Sequence, residues 1–248
     1  MNWSFQLYSA RNFQPWSDVL AMVAQAGYAQ VEGFGGLYDN PQELRAALDR
    51  NGLTMPTGHF SLDMLENDFG AARRIAETLG IGTLICPHVA ADMRPSDKAG
   101  WTAFAGRLAA VHENCRKAGL RFAWHNHDFE FVPCADGSVP QTVILDAAPD
   151  IGWEIDVAWV VRGGDDPLKW IDDYASRIVA AHVKDIARQG EALDEDGWAD
   201  VGHGTMDWPA IMQALRDKTP ARVFVMEHDN PSDAGRFARR SIAAAAAF

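Results

Sequence analysis

The stretch LRFAWHNHDFEF, residues 120–131, is an apolar, partly aromatic run that breaks into His125, His127, Asp128 and Glu130. It reads as a buried strand whose polar end leaves the apolar interior. A helix-like segment, residues 97–119, precedes it, and Gly119 stops that segment. The same unit recurs along the chain. Strands are expected at 3–8, 29–34, 54–60, 82–88, 120–126, 151–157, 178–183 and 222–227. Helix starts lie between them: Asn40-Pro41, with Gly52 closing that helix, then Asp166-Pro167, and Asp207 before Trp208-Pro209. Eight strands, each followed by a helix, predict an α/β chain folded as a closed (β/α)8 TIM barrel, a single domain over 1–248. An open doubly wound sheet is disfavoured, because no GxGxxG follows the first strand.

The chain has 22 basic and 34 acidic residues, a net charge of −12. Such a surface repels phosphate backbones and anionic lipid, so neither nucleic acid nor a membrane is an expected partner. Cys86, Cys115 and Cys134 are odd in number and widely spaced, which excludes a disulfide framework and a thiolate zinc site. The opening MNWSFQLYSAR does not read as a signal peptide, and no apolar run reaches membrane-spanning length. A cytoplasmic protein is expected, with room for a homo-oligomer, dimer or tetramer.

Four metal-ligand types follow one another at polar strand ends: Glu130, Asp156, His182 and Glu227. A carboxylate or imidazole beside an apolar strand is costly unless it is paired. In a barrel these ends converge on one mouth, where a cation can hold all four. An all-N/O set suits one divalent ion: Mn2+, Mg2+, Co2+ or Zn2+. In HNHDFEF either Glu130 or His125 can be the fourth ligand, and His125 and His127 face the same way on an extended strand. In HVKD, Lys184 shares a face with His182 and can contact a substrate oxygen, and Asp185 can orient either neighbour or meet substrate. His59 and His88, at the third and fourth strand ends, are candidate substrate contacts. Glu32 is a candidate structural carboxylate. Trp159 or Trp198 can line a sugar pocket. The long insertion at 189–205 is either a lid or an acidic surface loop.

FQLYSAR, AGYAQVEGF, HNHDFEF, EIDVAWVVRGGDDP, HVKDI, GHGTMDW and VMEHD together resemble the xylose isomerase-like barrels, the sugar phosphate isomerase/epimerase superfamily. That group includes hydroxypyruvate isomerase, tagatose 3-epimerase, inosose dehydratase and endonuclease IV. The resemblance implies one divalent ion bound by Glu, Asp, His and Glu from the fifth to eighth strands, the last three being Asp156, His182 and Glu227. The family's ENH is HNH here, so His125 stands where the first glutamate would be. Glu130 is then the expected ligand, with His125 and His127 as substrate contacts or acid/base groups. The implied activity is isomerisation or epimerisation of a small-molecule sugar by proton abstraction next to a carbonyl, with Glu227 as the base. Elimination on a keto-sugar, keto-glycoside or keto-inositol is the alternative, and gains if His125 is the ligand. A non-catalytic sugar-binding barrel is a weaker reading. Repair chemistry like that of endonuclease IV conflicts with the acidic charge and the sparse ligand set.

Overall fold

The computed structural model describes residues 2–248. The strands are β1 (Trp3–Gln6), β2 (Gln30–Gly33), β3 (Thr54–His59), β4 (Thr83–Cys86), β5 (Arg121–His125), β6 (Gly152–Asp156) and β7 (Ile178–Val183), then β8 (Asp185–Ile186), β9 (Trp198–Ala199) and β10 (Val223–Met226). Eight of them close a parallel barrel in the order β1-β10-β7-β6-β5-β4-β3-β2. Strand β1 pairs with both β10 and β2. The eight expected strands are therefore the eight barrel strands, and the chain adopts the (β/α)8 fold.

Alternation along each strand sorts side chains between two layers. On β6, Trp153 packs edge-on against Trp170 of the helix Pro167–Tyr174. Its neighbours Glu154 and Asp156 therefore face the barrel interior. Fully buried apolar residues such as Leu84, Ile155 and Ala181 fill out the walls. Each large one contributes about 1.5–3 kcal/mol by leaving water.

The helix ends follow their local chemistry. Asn40 Oδ1 accepts the Glu43 N–H ahead of Pro41–Arg50, and Asp97 caps the 20-residue helix Lys98–Lys117. Gly52 and Gly119 take left-handed φ of 65° and 75° after their helices.

Several strands stop short of their expected ends, and side chains take over there. After β5, Asn126 Oδ1 accepts the Asp156 N–H at 3.0 Å and its Nδ2 donates to the Asp156 carbonyl at 3.1 Å. Asn126 Oδ1 also accepts the Trp153 indole N–H at 2.9 Å. The amide thus extends the ladder from β5 to β6 and clamps the backbone of Asp156.

The insertion at 189–205 is fastened rather than free. It contains β9, which pairs antiparallel with β8. Glu195 binds Arg236 through two contacts of 2.9 Å, and Asp200 binds Arg236 and Arg240 at 3.1 and 2.8 Å. Asp185 completes the fastening. Its two oxygens accept the backbone N–H groups of Ile186, Gly202, Gly204 and Met206 and the Trp208 indole N–H. A Cβ on Gly204 would overlap the Asp185 carboxylate and the Ile186 carbonyl. The insertion does not line the mouth cavity, so the lid expectation is replaced by a stapled flap beside it.

Candidate active site

Two overlapping groups of ligand atoms lie inside the C-terminal end of the barrel: Asp156, His182 and Glu227, and His59, His125, Glu154 and His182. All six residues are buried. Register explains their meeting, since Asp156 is paired with His182 across β6–β7, and His125 with Glu154 across β5–β6. Glu227 follows β10, and its N–H still donates to the Val183 carbonyl at 3.2 Å.

In the outer group, Glu227 Oε2 lies 2.8 Å from His182 Nδ1, and Asp156 Oδ2 lies 4.0 Å from the same nitrogen. Asp156 divides its labour. Oδ1 caps the helix Val157–Arg162 through the N–H groups of Ala158 and Trp159, both at 3.0 Å. Oδ2 is buried and has no hydrogen-bond partner. An unpartnered carboxylate oxygen beside an imidazole nitrogen and a second carboxylate is a donor set that fits a divalent cation. The three strand-end ligands expected as Asp156, His182 and Glu227 are therefore brought together.

Lys184 is fully buried, its Nζ 3.0 Å from Glu227 Oε2, 2.7 Å from Asp229 Oδ2 and 3.5 Å from Asp156 Oδ2. It does not line the cavity. Expected as a substrate contact, it is spent on the carboxylates instead. Burial alone would raise Glu227, but Lys184 and His182 outweigh it and hold that carboxyl well below its usual range. Burial pushes Asp156 up to about 6, against the pull of Lys184 and His182.

Glu130 is in neither group. It lies on the single turn Phe129–Phe131, where Oε2 folds back to accept the His127 N–H at 2.9 Å, and Oε1 is buried without a partner. Burial pushes its carboxyl up to about 8. Expected as the fourth metal ligand, it is not brought to either group of ligand atoms. Asp185 is likewise corrected from substrate contact to structural anchor, because its oxygens are occupied by backbone N–H groups in and just past the insertion.

The mouth opens on a cavity of about 1010 Å³ that His59, His88, His125, His127, Trp159 and Glu227 help to line. His127 is held neutral, its pKa lowered to about 3 by burial and then by Lys184, and its Nδ1 is buried without a partner. Trp198 stands behind the wall, under Lys184 at 4.5 Å from its ring centre. Arg11 and Arg107 reach the cavity but are already engaged, Arg11 with backbone carbonyls and Arg107 with both oxygens of Glu66.

Sequence reasoning missed Glu154 and ranked Glu32 low. Both are fully buried in strands. The signal was present in GWEID, where Glu154 sits two residues before Asp156 and so shares its face.

The family model for the xylose isomerase-like TIM barrel matches residues 20–247. The chain belongs to this family. Within reach of this xylose isomerase-like barrel by sequence are the rhizopine catabolism protein MocC of Rhizobium meliloti and an inosose dehydratase of Geobacillus kaustophilus. The first is 25% identical over 232 residues, 81% of this chain and 70% of that protein. The second is 24% identical over 191 residues, 68% of this chain and 61% of that protein. Among solved structures, a sugar phosphate isomerase/epimerase from Parabacteroides distasonis superposes with a TM-score of 0.82 at 20% identity, covering 98% of this chain and 92% of its own. The clustered, buried His/Asp/Glu site makes this barrel a metal-dependent enzyme.

Proposed function

We propose that this chain abstracts a proton next to the carbonyl of an unphosphorylated keto-sugar or keto-polyol and eliminates water from it. Asp156, His182 and Glu227 would hold one divalent ion, Mn2+, Mg2+, Co2+ or Zn2+. When bound there, such an ion polarises a carbonyl and acidifies the neighbouring C–H. Glu227 lines the cavity and is held ionised by Lys184 and His182, so it is the acceptor for that proton. Lys184 positions Glu227 and Asp156 rather than touching substrate. Across the mouth, His127 offers an unpartnered Nδ1 to the leaving hydroxyl. The C–H electron pair forms the new C=C as the C–O bond breaks. The departing hydroxide takes a proton relayed from solvent at His127 and leaves as water, and Glu227 gives up the abstracted proton to solvent.

The observation that carries this choice is the company opposite Glu227. His125 and His127 line the cavity there, and Glu130 is turned back onto the His127 N–H. Two-glutamate epimerisation lacks its second glutamate in this arrangement. The similarity to an inosose dehydratase supports the same choice. The engaged Arg11 and Arg107 support an unphosphorylated substrate. Isomerisation or epimerisation is the second reading, because it begins with the same proton abstraction and needs only a neutral imidazole as the opposing group.

The test is a panel of keto-sugars and keto-inositols with Mn2+ in deuterium oxide. Loss of water with appearance of an enone supports elimination. Solvent deuterium at the carbon next to the carbonyl, without loss of water, supports isomerisation. Neither exchange nor turnover across the panel would overturn both.

A further inference from the structure

The inner group has a feature that hydrogen bonding alone explains poorly. Glu154 Oε2 lies 2.9 Å from His59 Nε2, 3.2 Å from His125 Nδ1 and 3.3 Å from His182 Nε2. Glu32 Oε1 lies 3.0 Å from His59 Nε2 and 2.7 Å from His182 Nε2. A ring nitrogen carries at most one proton, so His59 Nε2 and His182 Nε2 would each have to serve two oxygens. The other oxygens, Glu32 Oε2 and Glu154 Oε1, are meanwhile buried with no partner. Buried polar networks normally spread donors so that such oxygens are satisfied.

The separations have a second meaning. Ligands about 2.1 Å from a metal stand roughly 3.0 Å apart at the corners of an octahedron and roughly 3.4 Å apart at those of a tetrahedron. Two carboxylate oxygens and up to three imidazole nitrogens meeting at such edges form a chelate. Charge leads to the same place. Glu32, Glu154, Asp156, Glu227 and Asp229 are five linked carboxylates, and Lys184 brings them one positive charge. Two divalent cations together with Lys184 supply five positive charges against these five carboxylates, with His59 and His125 neutral, the form in which imidazole binds metal through one nitrogen.

We propose that Glu32, His59 and Glu154, with His125 and the Nε2 of His182, form a second divalent-cation site on the barrel axis, inside the Asp156–His182–Glu227 group. The ligand class is a borderline first-row dication such as Zn2+, Co2+ or Mn2+, suited to mixed imidazole and carboxylate donors. His182 then bridges the two sites as an imidazolate, Nδ1 toward the outer and Nε2 toward the inner, its ring proton released to solvent as the second cation binds. The charge balance rests on the outer reading, while the inner geometry stands without it.

The test is metal stoichiometry of the purified full chain, stripped with chelator, reloaded with Zn2+ or Co2+ and freed of excess. The unmodified chain should retain two ions. The double variant Glu32→Gln/Glu154→Gln should retain one, and Asp156→Asn should retain the inner one. Metal content in the double variant equal to that of the unmodified chain overturns the inner site. Loss of all metal in Asp156→Asn, with one ion kept in the double variant, also overturns it and leaves the outer site standing. One ion kept in Asp156→Asn and none in the double variant upholds the inner site and removes the outer one. Should the double variant not fold, anomalous diffraction from the unmodified chain soaked in Zn2+ decides it: a peak among Glu32, His59 and Glu154 is expected, and a bare inner group overturns the proposal.

Discussion

The Lys184 ammonium lies 3.0 Å from the Glu227 carboxylate, in a pocket with no solvent contact for the lysine. Removing one partner of such a pair leaves the other charge buried and uncompensated, which costs about 3–5 kcal/mol. Lys184→Met is therefore expected to lower stability by that amount in chelator. A divalent ion should restore much of it, because a cation among the acids replaces the lost charge. Thermal melts with and without Mn2+ check this, and an equal loss under both conditions would count against a cation at the acids.

Asn126 holds Asp156 by hydrogen bonds to its backbone rather than to its carboxylate. Groups that orient a ligand from behind typically carry 10–100-fold in metal affinity. Asn126→Ala should weaken divalent-ion binding by roughly that factor, read by calorimetric titration, while the barrel remains folded by circular dichroism.

Asp185 has the opposite signature. Asp185→Ala strands the N–H groups of Gly202, Gly204 and Met206 and the Trp208 indole. Losing several hydrogen bonds to one buried carboxylate, with the buried Trp208 indole left unpaired, should lower stability by at least about 3 kcal/mol. Metal content of the folded fraction should stay unchanged. A selective loss of metal would return Asp185 to the site.

Glu130 titrates near 4.5 when unfolded and is pushed up to about 8 by burial in the fold. A carboxyl raised on folding resists ionisation, so its contribution to stability falls as pH rises from 4.5 to 8. Glu130→Gln removes that penalty, and the variant should gain on the unmodified chain across this window in urea unfolding. Its metal content should not change. A large loss of metal would restore Glu130 as a ligand.

The stapled insertion has an acid limit. Burial raises Glu195, but hydrogen bonds from Arg236 and Ser232 outweigh it and hold the carboxyl at about 2, against 4.5 when free. A carboxyl lowered on folding stabilises above pH 4.5 and loses that contribution as pH falls toward 2. The stability gap between Arg236→Met and the unmodified chain should therefore be widest above pH 4.5 and shrink toward pH 2. A gap constant from pH 6 to 2 would remove Glu195 as the responsible group.

The fold was legible because strand and helix units carry local signals, such as Asn40-Pro41 and Gly119, that need no tertiary knowledge. Asp156, His182 and Glu227 were legible for a related reason: each lies at or near a strand end, where a polar residue interrupts an apolar run. Glu154 and Glu32 were not, because they lie inside strands and their meaning depends on which residues the closed barrel sets opposite them. Glu130 misled because distance along the chain past β5 says nothing about a single helical turn that folds its carboxylate back. Asp185 misled because all its partners but the adjacent Ile186 lie 17 to 23 residues downstream, in the insertion and just past it.

The fastening of residues 189–205 has a consequence for how such an enzyme changes over time. With that flap tied down and absent from the cavity wall, the outer rim is drawn largely from the first half of the chain, including Tyr8, Phe34, Phe60 and Pro87. The Asp156, His182 and Glu227 carboxylate and imidazole donors come from the second half. Which molecule is admitted and what is done to it are thus written in separate stretches of one gene. Mutations in the loops after β1 to β4 can retune the guest list while the reactive machinery is inherited intact.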